Sequence, residues 1–506
     1  MIQSKNSDGQ EQGQGRGQDL YEGRALLRMK GILIFLLLGC CCVGCRLGPD
    51  YQPPVVETPD AWKVEAVGSE GQAPAEFTGL WWEVFEDDTL NCLEEQGILN
   101  NPNLFEALDR VAQARAIAGV NQAALYPQVN LTPGYTNTGE LFKIYLPSGG
   151  QLPIGTALTT PYRIHELKYS VPFTMSYELD LWGKLRGQYD SAYYNAQAQG
   201  ENFQNGILTL TADIAVAYFQ ARVLDAQIEC LRSNLELLRS NATLTRSRYE
   251  KGLVNYLDVA SADQELGTTE AIYYDTIRQR ALQEDVLATL IGIPASEFNL
   301  DTNPLSGVPP CIPSGCPSEI LLRRPDIVAA ERTMASEHAL IGVAYASFFP
   351  SLQLTGTLGY SSPTLADFLH WDSRLWSMAA NAAQSIFDAG RNLSNLDLAY
   401  AHFKESSHAY QQTVLTAFQE VEDALNNVKY QALEYDSNMR AAEAAEKRIA
   451  LSNRRYRQGL SNYLEVIQSE LTGIQVELNA LSSLGARYVS TVQLIKAIGG
   501  SWSNDE

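Results

Sequence analysis

Polar and apolar residues alternate along four short segments of the chain, and this pattern predicts β-strands. The clearest segment is 167–181; shorter ones lie at 128–136 and 351–361, with a weaker one at 376–382. Alternation over about ten residues gives a strand one apolar and one polar face. Such a strand can face lipid on one side and a lumen on the other, or it can belong to an ordinary sheet on a soluble core. The pattern by itself leaves both open.

Two long stretches without proline predict helices. They cover 183–250 and 390–457, and at 1.5 Å per residue each helix of about 68 residues would be roughly 100 Å long. That length is several times that of an average globular helix and indicates a coiled coil or a barrel of helices. Shorter helices are predicted at 102–125, 256–291, 325–347 and 463–498.

The sequence contains a duplication. Residues 248–259 return as 455–466 with 8 identities in 12 positions at an offset of 207, and residues near 102–132 return at an offset of 223. The first copy therefore carries extra residues, which we place in the Gly- and Pro-rich stretch 141–166 because surface loops tolerate insertion. The predicted organisation is a leader at 1–44, an N-terminal segment at 45–100, a first repeat at 101–300 with a β-hairpin at 127–181, a linker at 301–323, a second repeat at 324–500 with a β-hairpin at 350–388, and a tail at 501–506.

The repeated motif has a local explanation as a turn between two helices. A glycine follows each long helix and suits the left-handed position at a helix end, with a leucine after it. An asparagine can then cap the next helix, and the acidic residue three positions later gives a pattern similar to a capping box. These residues are Gly252, Leu253, Asn255 and Asp258 in the first copy, and Gly459, Leu460, Asn462 and Glu465 in the second.

The N-terminal region has the pattern of a secretory signal. An uncharged apolar run from Gly31 to Gly44 follows Met29 and Lys30, and it is too short to span a membrane as a helix. Translation could start at Met1 or at Met29. A lipoprotein signal peptidase needs a small residue before cysteine, so the mature, acylated chain could begin at Cys40 or at Cys45. Acyl chains would anchor the protein without spanning the membrane.

The composition disfavours several classes of function. A formal net charge of −22 at pH 7 argues against nucleic-acid binding, and the acidity could serve solubility or a lumen that favours cations. We find no phosphate-binding loop, nucleophile motif, paired-carboxylate signature or metal-like histidine spacing in the sequence. We therefore expect no catalysis, no metal site and no cofactor other than the covalent lipid. Export permits disulfides, and we expect one between Cys311 and Cys316 in the Pro-rich linker.

One chain offers about four membrane-type strands, which cannot close a barrel. Outer-membrane barrels have eight strands or more, and an open sheet edge in lipid would leave backbone groups without hydrogen bonds. If the strands enter a membrane, several chains must pool them; a dimer would have roughly 8 strands and a trimer roughly 12. Because the unit is duplicated, a trimer would approximate sixfold symmetry.

Short motifs follow one another in a fixed order from residue 45 to the end of the chain. They are Cys45 with Gly48-Pro49-Asp50-Tyr51, Trp81-Trp82, Asn101-Pro102, Tyr177-Glu178-Leu179-Asp180-Leu181-Trp182-Gly183, Arg323-Arg324-Pro325-Asp326, Phe348-Phe349-Pro350, Phe387-Asp388-Ala389-Gly390 and Gly499-Gly500. In this order and duplicated, they resemble the TolC-like outer-membrane efflux proteins, in the OprM/NodT-type lipoprotein branch. There the acylated cysteine lies just ahead of Gly-Pro-x-Tyr, which favours Cys45 over Cys40.

The resemblance implies a homotrimer with a 12-stranded β-barrel in the bacterial outer membrane and a 12-helix α-barrel in the periplasm. Such a trimer would be the exit duct of a tripartite efflux pump, joined by a periplasmic adaptor to an inner-membrane RND-type transporter. The helical turns would dock on the adaptor, and the residues after them would narrow the closed pore. By position, the docking candidates are Gly252, Leu253, Gly459 and Leu460, and the gate candidates are Leu257, Asp258, Leu464 and Glu465.

Other interpretations stay open at this stage. Gln468 stands where members of the family often have Asp, which puts a second acidic ring in doubt. The same duct could serve type I protein secretion. A protein of another class, a non-conducting periplasmic lipoprotein whose coiled coils act as a spacer or adhesin, would share the signal and the long helices. The lipid anchor and the Gly-Pro-Asp-Tyr start favour efflux, by analogy alone. The sequence names no exported substrate.

Overall fold

The chain divides into two compact units, here called the strand unit and the helical unit. The strand unit consists of the chain up to Gln52, Ala116–Tyr193 and Ala335–Phe403, and the helical unit of Pro53–Arg115, Tyr194–Met334 and the chain from Lys404. A computed structural model describes residues 47–54, 58–59, 61–64, 80–142, 162–312 and 323–500.

The described residues of the strand unit form an antiparallel sheet. Its strands are β1 (Gln128–Leu131), β2 (Gly134–Phe142), β3 (Tyr162–Leu179), β4 (Ser351–Ser362) and β5 (Arg374–Ala383). Both β1 and β2 pair with β3, in successive registers that place Leu131 opposite Phe173 and Gly134 opposite Ser170. They therefore act as one interrupted strand, and the sheet has four strand positions across it, in the order β1/β2, β3, β4, β5.

The predicted insertion lengthens the first hairpin. The loop that we placed at 141–166 was wrong at both ends, because 141–142 belong to β2 and 162–166 belong to β3. These residues pair with one another, from Phe142 opposite Tyr162 to Thr138 opposite Glu166. In contrast, β4 pairs with β3 only from Tyr169 onward. The hairpin of β2 and β3 therefore continues, through hydrogen bonds between these two strands, past the last residue of β3 that pairs with β4. Residues 143–161 lie outside the described part of the chain.

Apolar and polar side chains form separate rows across the sheet. The cross-strand register puts Leu131, Phe173, Leu358 and Trp376 in one row, and Asn130, Thr174, Thr357 and Ser377 in the next. The four apolar side chains are 49–73% exposed. A sheet that packed this face on a soluble core would bury them. Within the described part of the strand unit, the exposed row therefore argues against the soluble-core alternative that the sequence left open.

The helices match the predicted bounds within two residues. They are α1 (Asp88–Asn100), α2 (Pro102–Ala123), α3 (Lys184–Glu250), α4 (Tyr256–Leu290), α5 (Pro325–Ala346), α6 (Arg391–Arg457) and α7 (Tyr463–Ala497). Helix α1 lies in the predicted N-terminal segment 45–100, for which no helix bounds were predicted. Proline stands at the first position of α2 and of α5, where its missing N–H costs nothing.

The helical unit has a hydrophobic core built from several helices. Its fully buried side chains include Tyr218 of α3, Leu287 of α4 and Ile495 of α7, together with Leu90 of α1. One apolar window of α3 has the length and composition of a membrane-spanning helix, but 67% of that window is buried inside the protein. The helix is thus apolar because it packs in the core.

We predict that adding one methyl group at Gly485 of α7 destabilises the helical unit. A Cβ there would lie 2.2 Å from a Cγ of Val223 on α3, a β-branched side chain that has little freedom to move. Overpacking of this kind costs about 1–3 kcal/mol. Thermal unfolding followed by circular dichroism should show a lower Tm for Gly485→Ala.

Gly267 of α4 provides the matched control. A Cβ there meets nothing within 4 Å. Replacing an exposed helical glycine by alanine favours the helix by about 1 kcal/mol, so Gly267→Ala should keep or raise the Tm. Equal Tm values for the wild-type protein and Gly485→Ala would contradict the close packing of α3 and α7.

Candidate functional site

The two turns between long and short helices are built on a left-handed glycine. Gly252 connects α3 to α4 with φ of 68°, and Gly459 connects α6 to α7 with φ of 73°. A Cβ on either glycine would meet no atom within 4 Å. Glycine is therefore required by the backbone conformation and not by lack of space.

Hydrogen bonds complete the same motif in both turns. The N–H of Gly252 donates to the carbonyl of Tyr249 at 2.8 Å, and the N–H of Leu253 donates to that of Arg248 at 2.9 Å. The second turn repeats this pattern with Gly459 to Tyr456 at 3.0 Å and Leu460 to Arg455 at 2.9 Å. This pair of bonds satisfies carbonyls that a helix end leaves free.

Asparagine side chains cap the next helices, as predicted from the sequence. Asn255 accepts a hydrogen bond from the backbone N–H of Asp258 at 3.0 Å, and Asn462 accepts one from that of Glu465 at 3.1 Å. Each turn is therefore a tight hairpin held from both sides. We call the two turns with their flanking residues 248–258 and 455–465 the hairpin tips.

The hairpin tips expose leucines. Leu253, Leu257, Leu460 and Leu464 are all 59–70% exposed. Two of them are docking candidates and two are gate candidates, so the structure brings both predicted roles to the same short segments. Large apolar side chains that remain exposed at the end of a hairpin form a surface that a partner can cover.

The arginines that begin the two hairpin tips make different contacts, although they occupy equivalent positions. Glu465 accepts a salt bridge from Arg455 at 2.9 Å within its own tip. The arginine equivalent to Arg455 is Arg248, which donates instead to the Tyr456 hydroxyl of the other tip at 2.9 Å and lies over its ring. The duplicated motif thus uses its arginine in two ways, and the charge of Glu465 is partly offset by Arg455.

A buried layer behind the tips was missed by sequence reasoning. Tyr463, Val466 and Ile467 of α7 are buried against Ala242 of α3 and Ala262 of α4. This layer packs the second tip onto the helices of the first. The residues follow one another at helical spacing, but their partners belong to the other repeat, so no local pattern could identify the contact.

Two carboxyl groups lie among the helices near this layer, and neither had been singled out. Burial raises the pKa of Glu265 to about 7, while its hydrogen bond from the Thr269 hydroxyl at 3.4 Å opposes the shift. Burial also raises the pKa of Glu470, which accepts from the Asn241 amide at 3.1 Å. The low dielectric of the interior disfavours the charged form in both cases.

An N-terminal segment, residues 47–52, belongs to the strand unit and packs within it. The N–H of Leu47 donates to the carbonyl of Trp182, just after β3, at 3.3 Å. Gly48 has φ of +116°, and a Cβ on it would lie 3.0 Å from the Cα of Gly342 on α5. The ring of Tyr51 meets His338 edge-on at 5.3 Å. Backbone approaches backbone here, which only glycine permits.

Three cysteines of the predicted sites lie outside the described residues. Cys40 and Cys45 precede the first described residue, and Cys316 lies in the undescribed stretch 313–322. The lipidation site and the disulfide with Cys311 therefore stay predictions. Among the residues that the structure describes, no group of three or more His, Cys, Asp or Glu side chains could hold a metal ion.

A model of one protein family matches most of the chain. The family is described as "Outer membrane efflux protein", and the match covers residues 94–293 and 316–500. Both repeats are matched, including both hairpin tips.

Curated relatives are similar over nearly their whole length. The toluene efflux pump outer membrane protein TtgF of Pseudomonas putida is 30% identical over 490 residues, which is 94% of this chain and 98% of TtgF. The cation efflux system protein CusC of Escherichia coli K12 is 28% identical, over 90% of this chain and 96% of CusC. The pyoverdine export outer membrane protein OpmQ of Pseudomonas aeruginosa is 29% identical, over 93% and 97%.

Solved structures of outer-membrane channels share the fold. The channel OprN superposes with a TM-score of 0.80 at 29% identity and covers 90% of this chain and 100% of its own. The open state of the MtrE channel of Neisseria gonorrhoeae gives a TM-score of 0.76 at 27% identity, with 90% and 98% covered.

We predict that the hairpin tips tolerate asparagine and reject valine at Gly252 and Gly459. Asparagine populates the left-handed region at low cost, whereas a β-branched residue is strained there by about 1–2 kcal/mol or more. Limited proteolysis should leave the Gly→Asn tips as resistant as the wild type and cut the Gly→Val tips faster. Equal cleavage of the two variants would mean that the positive φ does not hold the turns.

Proposed function

This chain belongs to the outer membrane efflux protein family, and we propose that three copies of it assemble into one conduit. It is an outer-membrane efflux channel with the duplicated, TolC-like fold: a membrane sheet and long antiparallel helices.

The sheet edges support the trimer. In the described sheet, β1/β2 lie at one edge and β5 at the other, and each has one side without a strand partner. In hydrocarbon such an edge leaves backbone N–H and C=O groups unsatisfied, at a cost of several kcal/mol each. Three sheets of four strand positions would close a barrel of roughly 12 strands, with the exposed apolar row toward lipid. This open-edged sheet is the observation that carries the proposal.

The partners that we propose are a periplasmic adaptor and an inner-membrane RND-type transporter. The exposed leucines of the hairpin tips supply an apolar surface on which an adaptor can dock. Relatives such as TtgF carry the name of a pump component. The cargo that we propose is small molecules such as drugs; toluene, cations and pyoverdine appear in the names of the relatives and describe those proteins. None of the relatives described above is named for protein secretion.

The gate that we propose is formed by Leu257, Asp258, Leu464 and Glu465. Replicated by three chains, the leucines would form an apolar constriction and the carboxylates an acidic ring that attracts cations. The salt bridge from Arg455 holds Glu465 within its own tip. Loss of the leucine or of the salt bridge should therefore loosen the closed state.

We predict that purified protein forms trimers that pass current in a planar lipid bilayer. Leu464→Ala and Glu465→Gln should each raise the conductance of the closed channel and the leakage of large antibiotics into a host without its own channel. Leu415→Ala is a matched control, because Leu415 of α6 is 61% exposed against 59% for Leu464 and lies far from the tips in sequence. A monomeric protein that passes no current would contradict the conduit proposal. Unchanged conductance in both tip variants would contradict the gate assignment.

We propose that Cys45 carries the lipid. Leu47, two residues after Cys45 in the sequence, donates its N–H to the carbonyl of Trp182 just after β3, and this contact supports the choice of Cys45. An anchor at the end of a membrane strand can enter the lipid directly.

We predict that Cys45→Ser removes the acyl mass from the N-terminal peptide and that Cys40→Ser does not. Mass spectrometry of the mature protein checks this. Acylation that survives Cys45→Ser and disappears with Cys40→Ser would transfer the anchor to Cys40.

A further inference from the structure

The helical unit contains a cavity of about 650 Å³ between α3, α6 and α7. That volume lies in the range of ordinary small-molecule sites. Its lining includes four apolar side chains, here called the floor: Leu238, Ile449, Ile474 and Leu484. Arg457 of the second tip lines the cavity, but none of the docking or gate candidates does, so none of the roles proposed above uses it.

Negative charge predominates around this floor. Among the lining residues, four glutamates stand against one arginine: Glu443, Glu446, Glu470, Glu477 and Arg457. A concave site lined by one sign of charge on low-dielectric walls concentrates ions of the opposite sign. The cavity therefore combines an apolar surface with an attraction for cations.

In the first repeat, arginines pair with the equivalent carboxylates. The residue equivalent to Glu470 is Asp263, which pairs with Arg246 at 2.8 Å. The residue equivalent to Glu477 is Glu270, which pairs with Arg239 at 2.9 Å. In the second repeat the two acids remain, but the positions of the arginines hold Asn453 and Glu446. The cations that neutralise the first helix pair are thus missing from the second.

Among these glutamates, the surroundings of Glu470 point most directly to a missing cation. Its Oε1 accepts a hydrogen bond from the Asn241 amide at 3.1 Å. Its Oε2 is shielded from solvent, and Asn453, which stands where the first repeat has Arg246, offers Glu470 a hydrogen bond but no positive charge. A carboxylate in such surroundings without a cationic partner is costly to ionise, and a cation placed against it would offset that cost.

We propose that this cavity binds an amphiphilic organic cation, with its apolar body on the leucine and isoleucine floor and its positive centre beside Glu470 and Glu477. An anion would be repelled by the four glutamates. A neutral apolar molecule would leave the negative charge of Glu470 without a cationic partner. A hydrated metal ion would leave the apolar floor unfilled. The proposal goes beyond the conduit function and does not depend on the gate or the adaptor.

The test uses two ions of the same shape and opposite charge. The full-length protein in lipid nanodiscs is titrated calorimetrically with tetraphenylphosphonium and with tetraphenylborate. Saturable binding of the phosphonium, at least about tenfold tighter than that of the borate, is the expected result. Equal binding of both ions, or no saturable binding of the phosphonium, would overturn the proposal.

Matched variants locate the site. Glu470→Gln and Glu477→Gln should each weaken phosphonium binding by about tenfold or more, while their counterparts in the first repeat, Asp263→Asn and Glu270→Gln, should leave it unchanged. Ala445→Trp fills the cavity without a change of charge and should abolish binding with an unchanged trimer on native gels. Equal losses in both repeats would assign the effect to general surface charge and sink the cavity assignment.

Discussion

Backbone hydrogen bonding at the edges of the sheet is the constraint on which the rest of the molecule depends. The described residues supply four strand positions, and among them β1/β2 and β5 leave the two edges of the sheet open. Water would satisfy those edges, but hydrocarbon cannot. The apolar row from Leu131 to Trp376 is exposed, as expected for a face that contacts lipid. The proposed assembly of three chains would resolve this conflict, because each open edge would pair with a strand of another copy.

The duplication gives the two repeats the same fold and lets their side chains diverge. Both tips keep the left-handed glycine, the two carbonyl bonds and the asparagine cap, because these interactions are local to each turn. The arginine side chain of each tip takes part in none of these local interactions. Arg455 stays with Glu465, while Arg248 reaches across to Tyr456 and ties the first tip to the second. A duplicated backbone thus carries an asymmetric set of ion pairs.

The same divergence continues along the helices. Arg239 and Arg246 neutralise acids of α4 in the first repeat. Their equivalents on α6 are Glu446 and Asn453, so the acids of α7 face a cavity with excess negative charge. Exposed ion pairs contribute little to stability, and their loss is therefore tolerated. The absence of these arginines changes the electrostatics of the cavity, because the carboxylates of α7 lack the cationic partners that those of α4 have.

The sequence by itself determined everything that depends on neighbours along the chain. Period-two alternation identified the strands, proline-free length identified α3 and α6, and Gly252 and Gly459 identified the turns, since each is fixed by residues a few positions apart. The sequence placed the insertion but misjudged the loop ends, because β2 and β3 extend by pairing with each other. Only the tertiary structure decided that Arg248 bonds Tyr456, that Leu47 meets Trp182, and that Glu470 lies half-buried beside a cavity. Those partners are distant in sequence, and their contacts depend on packing geometry, which no local periodicity encodes.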